Sequence, residues 1–149
     1  MQFIGRYDHT IDQKGRLAVP SRWRETLLGL HEDRLVLTKH RDGENRCVHV
    51  FTMASWEDLH QRFQSQPPLD LRMAALRRAY LSYGQECSID PQGRILLPPH
   101  LRAYAGLERD VRFVGEVHRA SIWDRAACDR MDAADESVFD DAGLLASLK

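Results

Sequence analysis

Apolar residues along this chain fall in short runs, most of them bounded by Asp, Gly or Pro. The runs Leu17-Ala18-Val19, Leu35-Val36-Leu37-Thr38 and Val48-His49-Val50-Phe51 come from the first half, and Ile95-Leu96-Leu97, Val111-Arg112-Phe113-Val114 and Ala120-Ser121-Ile122-Trp123 from the second. Runs of this length between turn-forming residues predict β-strands. A short helical stretch ends at Gly29-Leu30 and another at Gly106-Leu107. Each Gly suits the left-handed residue that closes a helix, with the Leu folding back on the last turn. Each half thus reads strand, turn, strand, short helix, strand, strand, helix, an α+β, β-rich order. Between the halves, Trp56, Leu59 and Phe63 share one face of a helix starting near Ser55. After Pro67-Pro68, Asp70 can cap a second helix with Leu69, Met73, Leu76 and Tyr80 along one stripe.

The two halves are copies. Ile11-Asp12-Gln13-Lys14-Gly15-Arg16-Leu17-Ala18-Val19-Pro20 returns as Ile89-Asp90-Pro91-Gln92-Gly93-Arg94-Ile95-Leu96-Leu97-Pro98, 78 residues later. Extended to Arg24 and Arg102, the alignment has 6 identities in 14 positions, against roughly one expected from composition, and marks an internal duplication. Asp first and Gly fourth are the residues of a tight turn, and Asp90-Pro91-Gln92-Gly93 adds Pro second. Each copy is therefore expected to begin as a β-hairpin with Arg16 or Arg94 just after its bend. Turn chemistry accounts for Asp and Gly but not for Arg. One explanation is an ion pair with Asp12 or Asp90 across the turn, contributing about 0–1 kcal/mol. The other is an anionic partner met by two guanidinium groups, as when Arg reads guanine or phosphate. The two can coexist, with Asp orienting Arg.

Composition sharpens this. The chain has 149 residues and a net charge of −1, which seems to argue against nucleic acid. Residues 1–83 nevertheless carry 13 basic and 10 acidic groups, and residues 84–149 carry 8 and 12. Of 21 cations 18 are Arg, favouring planar, bidentate recognition. Beyond residue 129 the chain turns acidic, which predicts a weak helix or a frayed end. The apolar runs are far shorter than the roughly 20 residues of a membrane helix, and nothing near the N-terminus looks like an export signal, so a cytoplasmic, membrane-free setting is expected. Cys47, Cys87 and Cys128 form no C-x-x-C pair and are read as reduced and buried. The seven His show no metal-ligand spacing, no nucleophile motif or phosphate loop occurs, and no enzyme activity, cofactor or metal is expected. Trp23, Trp56 and Trp123 read as packing residues.

The doubled D-x-x-G-R-[LI]-x-[VL]-P pattern, followed by a short helix, Gly-Leu and a strand, resembles the looped-hinge AbrB/SpoVT-like DNA-binding fold. Two copies in one chain, opening with Phe3-x-Gly5 and carrying Gly93-Arg94-Ile95-Leu96-Leu97-Pro98-Pro99, resemble the MraZ family of bacterial transcriptional regulators from about Phe3 to Met131. The resemblance implies two tandem swapped-hairpin halves forming a double-split β-barrel with flanking helices. The repeats then span 3–54 and 84–128, the connecting helices 55–83 and the acidic tail 129–149. It further implies a nucleoid-associated regulator, a repressor that binds short direct repeats in double-stranded promoter DNA of its own division and cell wall operon. The chains would assemble as a ring-shaped homo-oligomer, an octamer or a dodecamer. The family's D-x-x-x-R signature falls on Asp12 with Arg16 and on Asp90 with Arg94. Lys14, Arg22, Arg24 and Arg6 are candidate supporting phosphate contacts, with the alternative that Arg24 and Arg102, matched in both copies, are structural. The competing function is a ring-forming interaction protein that binds protein or RNA through the same tips.

Overall fold

The strands on either side of each repeated turn leave it for different partners. In the computed structural model, which describes residues 1–148, the first half consists of β1 (Arg6–Thr10), β2 (Arg16–Ala18), α1 (Ser21–Gly29), β3 (Arg34–Asp42), β4 (Asn45–Thr52) and α2 (Met53–Gln64). The connector is α3 (Leu71–Ala79) with a 3₁₀ turn at Leu81–Tyr83. The second half repeats the order as β5 (Gln85–Ser88), β6 (Arg94–Leu96), α4 (Pro99–Ala105), β7 (Asp110–Gly115), β8 (Ala120–Asp124) and α5 (Arg125–Asp135). A 3₁₀ segment, Glu136–Asp140, and α6 (Ala142–Ala146) follow.

The expected hairpins are opened and exchanged. β1 pairs with β7 and β2 with β6, so the arms of each turn are joined to the other half rather than to each other. The larger sheet is antiparallel with order β1-β7-β8-β4-β3-β5, and β2–β6 form a separate two-stranded ladder. Its ladders do not close into a barrel, since β1 and β5 are the outer strands. Four pairings (β1–β7, β2–β6, β3–β5 and β4–β8) cross between halves, so neither copy has a core of its own. The shared core combines Leu17, Trp23, Leu27, Leu35 and Val48 with Ile95, Leu101, Leu107, Phe113 and Ile122. Trp23 meets Phe3 and Phe113 edge to face and donates its indole N–H to the Ile4 carbonyl at 3.0 Å.

Two local expectations are corrected. Gly106 has the left-handed φ of 65° and Leu107 is buried, as expected, but Gly29 is not left-handed. In the first half α1 runs on, the left-handed residue is His31 (φ 57°), and Leu30 is exposed. The Glu32 N–H then bonds the Leu27 carbonyl and closes the end without glycine. Asp70 does cap α3, accepting from the Arg72 and Met73 N–H groups. Leu69, however, precedes the helix and points to solvent, and Leu76 is exposed, because α3 is turned so that Arg77 donates to the Phe63 carbonyl at 3.0 Å. Beyond residue 129 the acidic stretch, expected as a weak helix or a frayed end, is helical over most of its length. α5 runs across residue 129 to Asp135, with Cys128 buried against Cys47 and Trp123. Arg112 pairs with Asp8 at 2.8 Å and Asp129 at 2.6 Å, and Arg6 with Asp132 at 2.6 Å. Acid counted as tail thus neutralises cations of β1 and β7.

Candidate nucleic-acid interface

Each tip is built around one carboxylate. Asp12 Oδ1 accepts the N–H groups of Lys14 and Arg16, both at 2.9 Å, while Oδ2 accepts Arg16 Nε at 2.9 Å. Asp90 repeats this with Gln92 and Arg94, both N–H groups at 2.9 Å and Arg94 Nε at 3.3 Å. The backbone N–H groups of Arg16 and Arg94 are the largest cause holding the two carboxyls below the usual range, so both stay ionised. Gly15 and Gly93, at φ 82° and 81°, supply the left-handed step that an L side chain resists. Asp therefore both folds the turn and orients the following Arg.

Structure adds what spacing could not: the two tips are one surface. In the β2–β6 ladder Arg16 lies opposite Leu96, Leu17 opposite Ile95 and Ala18 opposite Arg94. Alternation puts Leu17 and Ile95 on the core side, where both are buried, each contributing about 1.5–3 kcal/mol. Arg16, Ala18, Arg94 and Leu96 share the outer face. Arg94 Nη1 comes within 3.7 Å of Asp12 Oδ2, linking the two Asp–Arg pairs electrostatically. The ladder is locked at its ends by reciprocal bonds, Val19 N–H to the Gly93 carbonyl at 2.9 Å and Leu97 N–H to the Gly15 carbonyl at 3.0 Å. Each tip is thus held by the other half.

The remaining candidates divide. Lys14 is exposed at the first tip and Arg22 on α1, and neither has a carboxylate partner among the described residues. Arg24 reaches the opposite tip, donating to the Gln92 carbonyl at 2.9 Å, and lies so close to Gly93 that an added Cβ would collide with its guanidinium. Its counterpart Arg102 instead donates to the Leu107 and Glu108 carbonyls at 2.9 and 2.6 Å, closing the end of α4. Arg6 is engaged by Asp132. Sequence reasoning missed Arg109, whose carbonyl accepts the Ile11 N–H and which lies exposed beside the first tip. Only the β1–β7 pairing brings it there, so no local signal could have found it. It also missed Gln92, whose side-chain oxygen accepts from Arg94.

The histidines do not converge on this ribbon as a reactive set. His49 is buried, shares a 2.6 Å hydrogen bond with the Tyr80 hydroxyl and stacks on His40 at 4.0 Å. Burial pushes its pKa down to about 2, which keeps it neutral. The pair fastens the connector to the sheet. No cluster of metal-ligating side chains occurs among the described residues, and no described helix is long and apolar enough to cross a membrane.

The sequence matches the family described as "MraZ protein, putative antitoxin-like" twice, over residues 2–78 and 81–143, once for each half. Among similar proteins, the transcriptional regulator MraZ of Thioalkalivibrio sulfidiphilus is 43% identical over 122 residues, covering 82% of this chain and 79% of that one. The MraZ of Desulforamulus reducens is 39% identical over 138 residues, 93% of this chain and 92% of its own. That of Moorella thermoacetica is 43% identical over 124 residues, 83% and 82%.

Proposed function

The chain belongs to the MraZ family, and from that membership and the ribbon geometry we propose that it is a sequence-specific DNA-binding transcriptional regulator. The observation that carries the reading is the placement of Arg16 and Arg94 on one face of a two-stranded ribbon, each aimed by its own carboxylate. A β-ribbon fits the major groove, where Arg donates to guanine O6 and N7. Arg16 spends only Nε on Asp12, which leaves both terminal nitrogens for a base or phosphate. Lys14, Arg22 and Arg109 flank this face as phosphate contacts, and Arg24 braces the second tip. In this reading the protein has no catalytic step and needs no cofactor or metal.

The finer features of the reading are those implied by the family resemblance. The crossed β1–β7 and β2–β6 pairings support a swapped-hairpin, double-split barrel relationship between the halves. The targets are short direct repeats upstream of the protein's own gene, within the division and cell wall operon, and binding represses that operon in the nucleoid. One Arg pair offers about 1–3 kcal/mol of discrimination. A ring of eight or twelve copies on repeated sites would multiply it through effective concentration.

A mobility-shift titration on that upstream DNA, at two salt concentrations and with repeats deleted singly, tests the reading. Affinity is expected to fall steeply with salt and with each lost repeat. Binding that ignores repeat number removes the avidity argument. Equal binding by the Arg16→Ala/Arg94→Ala chain, still assembled, removes the site. Preference for an RNA or protein ligand through the same tips establishes the competing interaction-protein function.

A further inference from the structure

A second group of cations lies apart from the tips, where β3 and β4 run on beyond the core. Lys39 and Arg41 follow Leu35 and Leu37 on the core-side face of β3, and Arg46 precedes Val48 on the same face of β4. Arg41 and Arg46 are directly opposite in the ladder, an arrangement of like charges that weakens a sheet. No carboxylate compensates it. Asp42 is on the other face, held by His40 at 2.9 Å, and Glu44 in the intervening turn pairs with none of the three. Lys39, Arg41 and Arg46 make no ion pair or side-chain hydrogen bond among the described residues. Aromatic rings hold two of them instead. Lys39 Nζ lies 3.9 Å from the centre of the Tyr83 ring and 5.1 Å from that of Tyr104, and the Arg46 guanidinium lies 4.9 Å from that of Tyr104. A cation on a ring face is oriented without being neutralised, and its N–H donors stay free.

We propose that this end of the β3–β4 ladder is a second DNA contact, which takes the phosphodiester backbone of duplex DNA beside the bases read by the Arg16–Arg94 ribbon. The inference rests on the DNA-binding reading above and extends it to residues outside the repeated motif. Chemistry selects a polyanion, since three uncompensated cations with free donors match a row of phosphates. Placement selects DNA, because α4 stands between this patch and the first tip. Pro99, Arg102 and Ala103 line the hollow that also contains Lys14 and Gly15, while His100, 6.2 Å from Tyr83, and Tyr104 lie on the side toward the cations. Leu101 and Ala105, on the third side of α4, are buried in the core. A helix is about 10–12 Å across, close to the roughly 12 Å width of the major groove. A backbone bordering a groove entered by the first tip therefore reaches the cations on the far side of α4. Such contacts add affinity and fix register but carry no sequence preference. The linear sequence hides the patch, because its cations are divided between two strands and the rings that hold them come from the connector and α4.

Fluorescence titrations of the full chain test it, against a duplex carrying a single repeat and a scrambled duplex of equal length, over a series of salt concentrations. Arg41→Gln/Arg46→Gln is expected to weaken both complexes by the same factor, to keep the preference for the repeat, and to lower the slope of log affinity against log salt by about two. Arg41→Lys/Arg46→Lys, which keeps the charge, should restore most of that slope. Arg16→Ala/Arg94→Ala should instead abolish the preference. Because Arg41 and Arg46 are exposed and repel each other, thermal unfolding of the Gln variant should come no earlier than that of the unmodified chain, and sedimentation velocity should show the same assembly. Unchanged slope and affinity in the Gln variant, with repeat preference intact, overturn the second contact and leave the regulator standing. If the unmodified chain binds both duplexes equally and the Gln variant still lowers the slope, the contact is upheld and base reading by the tips is refuted. A lowered slope that accompanies lost assembly overturns the proposal, since the cations then join copies of the chain. Binding of polyglutamate that needs Arg41 and Arg46, with DNA affinity unmoved in the Gln variant, overturns it in favour of an acidic protein.

Discussion

The two tips carry the same motif and are finished differently. At the first, Asp12 holds the Arg16 guanidinium through Nε alone, Lys14 and Arg109 stand exposed nearby, and a hollow of about 610 Å³ opens between the turn and α4. At the second, Arg94 is also engaged by Gln92 and drawn toward Asp12, and the corresponding hollow, lined in part by Arg24, is about 330 Å³. The first tip is the more basic and the freer, and the second is the more tightly braced. Duplication of a motif thus preserved its turn while its surroundings diverged.

The largest expected effect comes from removing both arginines. Arg16→Ala/Arg94→Ala should weaken specific promoter binding by about 2–6 kcal/mol, roughly 30-fold or more, with little change in thermal stability. If the first tip is the freer reader, Arg16→Ala alone should cost more binding than Arg94→Ala, and equal losses in a fluorescence titration would erase that difference.

Stability should reverse the ranking. Both glycines have left-handed φ, so Ala at either costs about 1–2 kcal/mol. Gly93→Ala must also displace Arg24, whereas the nearest neighbours of an added Cβ at Gly15 are 3.6 Å away. Chemical denaturation should show Gly93→Ala to be the worse, and Arg24→Ala should remove most of the excess in a double-mutant cycle. Additive losses would refute the brace.

A smaller effect is expected at Lys14. Lys14→Ala should lower the slope of log affinity against log salt by about one, and Gln92→Ala should leave it unchanged. Smallest is the response to acid. Asp12 and Asp90 have depressed folded pKa values, so their contribution is complete above the ordinary carboxylate pKa of about 4. It is lost as pH falls through the lower folded values. Stability monitored from pH 7 to 5 should therefore not change on their account, and the Asp12→Asn/Asp90→Asn chain should lack the acid limb they contribute.

Local chemistry made much of this legible in advance. The Asp–Gly turns, the Asp70 cap, the order of elements and the burial of Trp23 and Trp123 follow from residues within a few positions of one another. Helix ends were less secure, because His31 could take the left-handed role expected of Gly29 once α1 ran on. The outer face of α3 was misjudged because a stripe of Leu69, Met73 and Leu76 says that a helix is amphipathic, not that its own chain covers it.

By itself the sequence determined that two equivalent turns exist and that each places an Arg beside an Asp, since those bonds span only four residues. Only the tertiary structure decided which strand each arm joins, that both arginines share one ribbon face, and that Arg24 reaches Gln92 across 68 positions. Strand partners and register depend on the burial of a common core, here Leu17 and Ile95 among residues of both halves, and local propensity carries no record of that choice.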